Sequence, residues 1–461
     1  MRIIKLFFFL LIASTLNIFA QEVYFVKFKE TPDLRTLKRS VQENYQSANR
    51  NNTLPSKEIS VGAFAKGNAT KISSLKNILK FTFPSTTNDS FWTSFKNKYP
   101  SIEYIQKQIV YKIDAIPNDS LINQQWALTK IDAFNAWKIT EGTDSVVVGV
   151  IDTGIDFYHP DLVDNIFINK GENGTDNFGN DKRSNGIDDD GNGFVDDYQG
   201  WDFTDRTGFP FDSTGGDYLV WDNYPMDENN FSHGTSVAGI IAATSNNGIG
   251  ISGIAPKLKV MNLRAFDPDG YGEEDDVAAA ILYAINNGAK IINMSFGDVS
   301  YSYVLRDVIR YVYSQNVVMV ASSGNSNSTE LHYPSSYDEV ISVGNSTQDD
   351  YVSANSNYGS TLDLVAPGTD IITTARKNTY ASFSGTSASA PFVSAAAGLI
   401  LSQKSFSNEE VKQILKSTCD DINSSGWDIK SGAGRLNLFK ALKTLAPSIV
   451  KFDYPNQDFA T

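Results

Sequence analysis

The chain runs to 461 residues, with 53 Asp and Glu against 39 Lys and Arg, a formal charge of −14 and a single cysteine, Cys419. That length exceeds one typical hydrophobic core, so two or more domains are expected. The acid surplus disfavours nucleic acid as a substrate, and a lone cysteine excludes an internal disulfide.

Residues 1–20 carry Arg2 and Lys5, then an apolar run over residues 6–13, then Ala20 before the polar pair Gln21-Glu22. This reads as a signal peptide, too short and too early for a membrane span, and it predicts a secreted or extracytoplasmic protein. Residues 21–115 hold 15 Lys and Arg against 8 Asp and Glu, a net +7, whereas residues 116–461 hold 22 against 45, a net −23. A basic segment therefore precedes an acidic body, either by composition drift or because the two attract each other. The basic segment opens on a strand pattern at residues 23–28, passes through a polar helix-like middle and closes on strand patterns at residues 104–113.

From residue 116 apolar strand runs at 146–151, 258–263, 291–294, 317–321 and 340–343 alternate with helix patterns such as 275–287 and 303–314. Such alternation predicts an α/β fold with a mostly parallel central sheet and helices on both faces. In such sheets sites form at the carboxyl ends of strands. Asp152 stands at the end of the first run, inside Asp152-Thr153-Gly154. Asn325 follows the run that leads into Ser322-Ser323-Gly324. His233 opens the small-residue stretch Gly234-Thr235-Ser236, and Ser387, in Gly385-Thr386-Ser387, precedes Ala388-Ser389-Ala390-Pro391. Carboxylate, imidazole and hydroxyl are the equipment of acyl transfer: the imidazole takes the serine proton, the carboxylate orients and stabilises the imidazole, and an amide donor can hold the oxyanion. Ser387 at a helix start places that developing charge where the helix dipole favours it. A binding protein descended from such an enzyme would ordinarily lack one of these groups. A nucleophile-elbow esterase needs the order Ser, acid, His, and the order here is Asp, His, Ser.

These four blocks resemble the subtilase family of serine proteases over roughly residues 116–446. The resemblance implies a subtilisin-like fold and a serine endopeptidase acting on polypeptides, with Asp152 as triad aspartate, His233 as general base, Ser387 as nucleophile and Asn325 as oxyanion donor. Ala388 stands where the family often has Met. The resemblance divides the chain into a signal peptide (1–20), a small α+β propeptide acting as chaperone and intramolecular inhibitor (21–115), a catalytic domain (116–447) and a tail (448–461) that is either a docking element or the stub of something longer. Gly270-Tyr271-Gly272 and Ser295-Phe296-Gly297 look like the two edges that hold an extended peptide as an added strand. Ser295 to Gly297 and Ser322 to Gly324 would wall the first specificity pocket, with His332 either narrowing its base or standing by. His159 is expected to anchor its own loop, and Cys419, in or just past a helix over 408–418, to be a buried, inert thiol.

An acidic insertion spans about residues 171–200. Asp188, Asp190 and Asn192 alternate, Gly193 allows a turn, and Phe194, Asp196 and Asp197 follow. The pattern repeats the first half of a calcium loop and resembles thrombospondin type 3 repeats, with Gln199 where an EF-hand needs Glu. Calcium held there would staple a chain without disulfides; the other reading is a solvated acidic loop.

Overall fold

The computed structural model describes residues 22–48, 60–63, 77–83, 89–108, 116–205 and 220–445. The expected signal peptide, residues 109–115 and the tail lie outside these. The chain divides into two units, Met1–Ile113 and Asp114–Thr461.

In the first unit, strands β1 (Glu22–Phe28), β2 (Ser60–Ala63), β3 (Ile78–Phe83) and β4 (Ile102–Lys107) form one antiparallel sheet in the order β2-β3-β1-β4. Helices α1 (Leu34–Ala48) and α2 (Asp89–Lys98) complete it. Phe81 and Phe83 alternate on one face of β3 and meet Phe91 and Phe95 one helical turn apart on α2, so periods of two and of about four supply the same core. The α+β expectation for this segment matches.

The second unit begins with short helices α3 (Trp126–Lys130) and α4 (Ala133–Ala136) and is built on a seven-stranded sheet. Its strands are β5 (Val147–Asp152), β6 (Trp201–Asp202), β7 (Lys259–Arg264), β8 (Ile291–Met294), β9 (Val318–Ser322), β10 (Ile341–Ser346) and β11 (Leu364–Pro367). The order is β11-β10-β9-β8-β5-β7-β6 and every pairing is parallel. A hairpin, β12 (Ile371–Ala375) and β13 (Thr379–Phe383), leads into the longest helix. The remaining helices are α5 (His233–Ala242), α6 (Glu274–Asn286), α7 (Tyr303–Ser314), α8 (Thr386–Gln403), α9 (Asn408–Ser417) and α10 (Leu438–Lys443).

Strand β5 shows why both faces are covered. Val148 and Val150 point into the core shared with Val237 of α5 and Val393 of α8, while Val147 and Ile151 point into the core shared with Ile281 of α6 and Ile309 of α7. Each fully buried aliphatic side chain contributes about 1.5–3 kcal/mol, and a strand buried on both faces reads as an unbroken apolar run. The run ends at Asp152, which pairs in register with Arg264 of β7 near the middle of the sheet. No helix among the described residues is long and apolar enough to cross a membrane.

Candidate active site

The polar end of β5 and the start of α5 meet side chain to side chain. Asp152 is 3% exposed, and its Oδ1 accepts from the Thr153 N–H at 2.8 Å and from His233 Nδ1 at 2.6 Å. The approach requires glycine at 234, because a Cβ there would lie 2.1 Å from the Gly154 carbonyl oxygen and 3.1 Å from the Asp152 Cβ. The Phe383 ring packs edge-on against His233 at 5.2 Å. Burial disfavours the imidazolium, but Asp152 more than offsets this, and His233 ends above the ordinary imidazole value.

Ser387 lies in the first turn of α8. Its Oγ donates to the Ser295 carbonyl at 3.0 Å, and the Ser295 Oγ donates to the Ser387 carbonyl at 3.0 Å. Pro391 explains the second bond. It stands four residues after Ser387 and has no N–H to give that carbonyl, so the Ser295 hydroxyl supplies the missing donor. The chain of bonds continues inward: Asn293 Nδ2 donates to Ser295 Oγ at 2.9 Å and Ser394 Oγ donates to Asn293 Oδ1 at 2.8 Å. Asn325 caps the same helix start, its Oδ1 accepting the Thr386 N–H at 2.9 Å and Oγ1 at 3.1 Å. The whole amide lies against Gly385, where a Cβ would meet Nδ2 at 3.3 Å and Oδ1 at 3.4 Å; the oxygen is engaged with Thr386, and Nδ2 is the donor of the group.

Asp152 and His233 line one cleft of about 1180 Å³ together with Gly270, Tyr271, Gly272, Ser295, Phe296 and Gly297. The two expected edges thus face a common space. Ser387 reaches this wall through Ser295. Ser322 and Ser323 are buried at the end of β9, and His332 is wedged behind the wall, since a Cβ on Gly297 would meet its Cε1 at 2.3 Å and one on Gly324 its Cδ2 at 3.0 Å. Burial holds His332 below the ordinary imidazole value, and its Nδ1 is buried with no hydrogen-bond partner among the described residues. His159 is a loop anchor: fully buried, it accepts the Asp161 N–H at Nδ1 and so carries its proton on Nε2, facing the Thr379 carbonyl at 3.0 Å. Cys419 lies just past α9, and burial pushes its thiol up to about 12, which keeps it unreactive.

In the acidic insertion the groups that converge are Glu172, Asp188 and Asp190, one oxygen of each lying within 4.8 Å of the others. Glu172 is 0% exposed; its Oε1 accepts the N–H groups of Asp189 and Asp190, and its Oε2 is buried with no partner among the described residues. Asp188 accepts three turn N–H groups, from Gly191, Asn192 and Gly193, so the loop curls around that carboxylate. Asp196 is turned onto the Gly186 N–H, and Phe194 packs against Trp201 and Tyr283. Asp197 is buried, with Asn169, Asn192 and Tyr283 donating to it, and burial raises its carboxyl above the usual range. Loop spacing counts forward from Asp188 and so passes over Glu172; the only local sign is an acid inside Lys170-Gly171-Glu172 ahead of the run.

Residues 143–434 match the model of the Subtilase family. The chain is 33% identical over 383 residues to a thermophilic serine proteinase of Bacillus sp. (strain AK1), covering 83% of this chain and 82% of that one. It is 34% identical over 331 residues to thermitase of Thermoactinomyces vulgaris, covering 71% of this chain and 99% of that one. A solved protease structure from Pseudoalteromonas arctica superimposes with a TM-score of 0.59 at 26% identity, covering 72% of this chain and 99% of that one.

Proposed function

This chain belongs to the subtilase family and is a serine endopeptidase that hydrolyses peptide bonds, and from that premise we propose that Ser387, His233, Asp152 and Asn325 carry the reaction in a secreted enzyme. The observation that carries this reading is the 2.6 Å bond between a buried Asp152 and His233, in a cleft whose wall is fastened to Ser387 through Ser295.

The substrate lies extended between the edges at 270–272 and 295–297, and its side chain enters the space bounded by Ser322, Ser323, Gly324 and His332. Ser387 Oγ turns from the Ser295 carbonyl toward His233 and attacks the scissile carbonyl carbon as His233 Nε2 takes its proton. Asp152 holds the Nδ1 proton and stabilises the imidazolium. The oxyanion receives the Asn325 Nδ2 donor and the Ser387 N–H, one of the helix-start N–H groups that have no acceptor within α8. His233 then protonates the leaving amine, and water repeats the sequence on the acyl-enzyme to release the acid.

Residues 21–115 act as propeptide and inhibitor, the +7 of that segment complementing the −23 of the body. Calcium fits the insertion: carboxylate oxygens suit a hard cation, Glu172 converges with two further carboxylates, and its Oε2 is buried with no partner among the described residues. Glu172, Asp188 and Asp190 would hold it, and it would supply structural charge and no chemistry.

The test is hydrolysis of casein by Ser387→Ala and Asn325→Ala, with serine-directed phosphonylation of the wild type. Ser387→Ala should abolish turnover and labelling while retaining the fold. Asn325→Ala should fall by about 10²–10³ in kcat, the loss seen for the equivalent donor of a subtilisin. Wild-type proteolysis by Ser387→Ala would overturn the assignment.

A further inference from the structure

We propose that Asp227 is a positioning residue that holds the acid and the base of the triad in one geometry, by tying the loop after Asp152 to the first turn after His233. The proposal rests on the Asp152–His233 reading above. Asp227 precedes α5 by six residues and is 0% exposed. Its Oδ2 accepts the Thr235 N–H at 3.1 Å and the Thr235 hydroxyl at 2.6 Å. Its Oδ1 accepts the Thr153 hydroxyl at 3.1 Å and the Asn229 N–H at 2.9 Å.

Two further bonds close the lattice. Thr153 Oγ1 accepts the Gly234 N–H at 3.1 Å, and Thr235 Oγ1 accepts the Asp156 N–H at 3.0 Å. The neighbour of Asp152 and both residues after His233 therefore hang on one carboxylate. Asp152 and His233 are 81 residues apart, on a strand and a helix that each pack for their own reasons. Core packing sets those elements to within fractions of an ångström at best, and a misplacement of 1 Å can cost about 10²-fold in rate. The clamp acts where packing is least directive, at the polar ends.

A carboxylate is the group that serves. Four donors converge on it, and two oxygens accept them all without offering a proton back. An amide of the same size would turn an NH₂ toward either the Thr153 hydroxyl or the Thr235 N–H. The negative charge also supports the imidazolium of His233. The other charged groups around Asp227 are Asp152 at the end of β5, Asp156 in the loop beyond it, the adjacent Glu228, and the guanidinium groups of Arg264 on the Met226 carbonyl and Arg376 on the Glu228 and Asn229 carbonyls. Burial pushes the Asp227 carboxyl up to about 6, so the clamp is ionised at neutral pH and loses its charge under mild acid.

The experiment compares Asp227→Asn, Thr153→Val and the double variant with wild type, measuring kcat, KM and the pH profile of kcat/KM, with melting temperature as the fold control. Asp227→Asn should lower kcat about 10- to 100-fold with KM within about threefold. Its acid limb should move to lower pH, since removing a negative charge lowers the His233 pKa. A purely structural role would leave that limb in place. Thr153→Val removes one arm of the clamp and should lower kcat less, and the double variant should be no worse than Asp227→Asn, because both changes break one unit. Wild-type kcat with an unmoved acid limb in Asp227→Asn overturns the proposal, as do losses that multiply in the double variant. If Asp227→Asn does not fold, Thr153→Val alone decides, and a wild-type kcat there overturns it. A silent Asp227→Asn beside a dead Ser387→Ala sinks the clamp and leaves the triad standing.

Discussion

Changing Glu172 to Gln should raise the melting temperature of the calcium-free enzyme and remove part of its response to calcium. Glu172 is buried, and burial raises its carboxyl above the usual range. A group with a raised folded pKa binds more protons folded than unfolded, so without a cation its contribution to stability falls as pH climbs through the interval between the two values. At neutral pH the cost is that of a buried charged acceptor whose Oε2 is unpartnered, about 1–3 kcal/mol. Gln keeps the acceptor for the Asp189 and Asp190 N–H groups and carries no charge into the buried site, which removes the charged part of that cost. At about 2 °C per kcal/mol for a domain of this size, Glu172→Gln in chelator should melt about 2–6 °C above wild type in chelator. Calcium acts in the opposite sense: at 100 times its Kd, a cation bound only by the native state adds about 2.7 kcal/mol to wild type, and this increment should be missing from the variant. The assay is calorimetry of all four combinations of protein and metal near pH 8. Any calcium site elsewhere adds equally to both proteins and cancels in the difference. Equal calcium increments in wild type and Glu172→Gln would refute the reasoning, as would a variant that melts lower in chelator.

Two other outcomes follow from the same physics. On the proposal that residues 21–115 are a propeptide that the enzyme removes itself, N-terminal sequencing of active enzyme should find a residue between about 113 and 121; a mature start at Gln21 would dismiss the propeptide. His332→Gly should widen acceptance from medium apolar side chains toward Phe and Tyr, since the imidazole fills the space between Gly297 and Gly324. Because burial holds His332 below the ordinary imidazole value, the wild-type preference ratio for Glu-containing over apolar peptides should rise only below about pH 6.5, and the variant's ratio should stay flat. A cleavage profile of His332→Gly that overlays the wild type would show that the pocket base lies elsewhere.

The residues that sequence reading reaches are those whose partners lie nearby in the chain or whose pattern is periodic. Strands β5, β7, β8, β9 and β10 announce themselves because they are buried on both faces, and each begins within about one residue of its apolar run. The two-residue β6 and the hairpin β12–β13 escape, since two residues have no period and β13 is largely exposed. Strand β10 runs past residue 343 to Ser346 because it pairs with β11, a strand of four residues ending in proline that carries no signal of its own.

The same division runs through the site. Asp152, His233 and Ser387 are legible because each needs small neighbours in fixed places: Gly234 to let α5 approach the Gly154 carbonyl, and Pro391 to leave the Ser387 carbonyl open for Ser295. What holds them, and what shapes the acidic insertion, is silent in the sequence. Asp227 acts on Thr153 at a distance of 74 residues, Ser394 on Asn293 at 101, and Glu172 on Asp189 at 17. An aspartate, a serine and a glutamate in those places look like any surface residue until folding buries them, and only then does each oxygen require a donor or a cation. The chemistry proposed for the triad is therefore written locally, while the precision proposed for it rests on buried polar partners that the chain assembles from far apart. That is why Asp227→Asn and Ser387→Ala should fail differently: one leaves the reacting groups present and misplaced, with an altered acid limb, and the other removes the bond-forming atom and leaves no pH profile to measure.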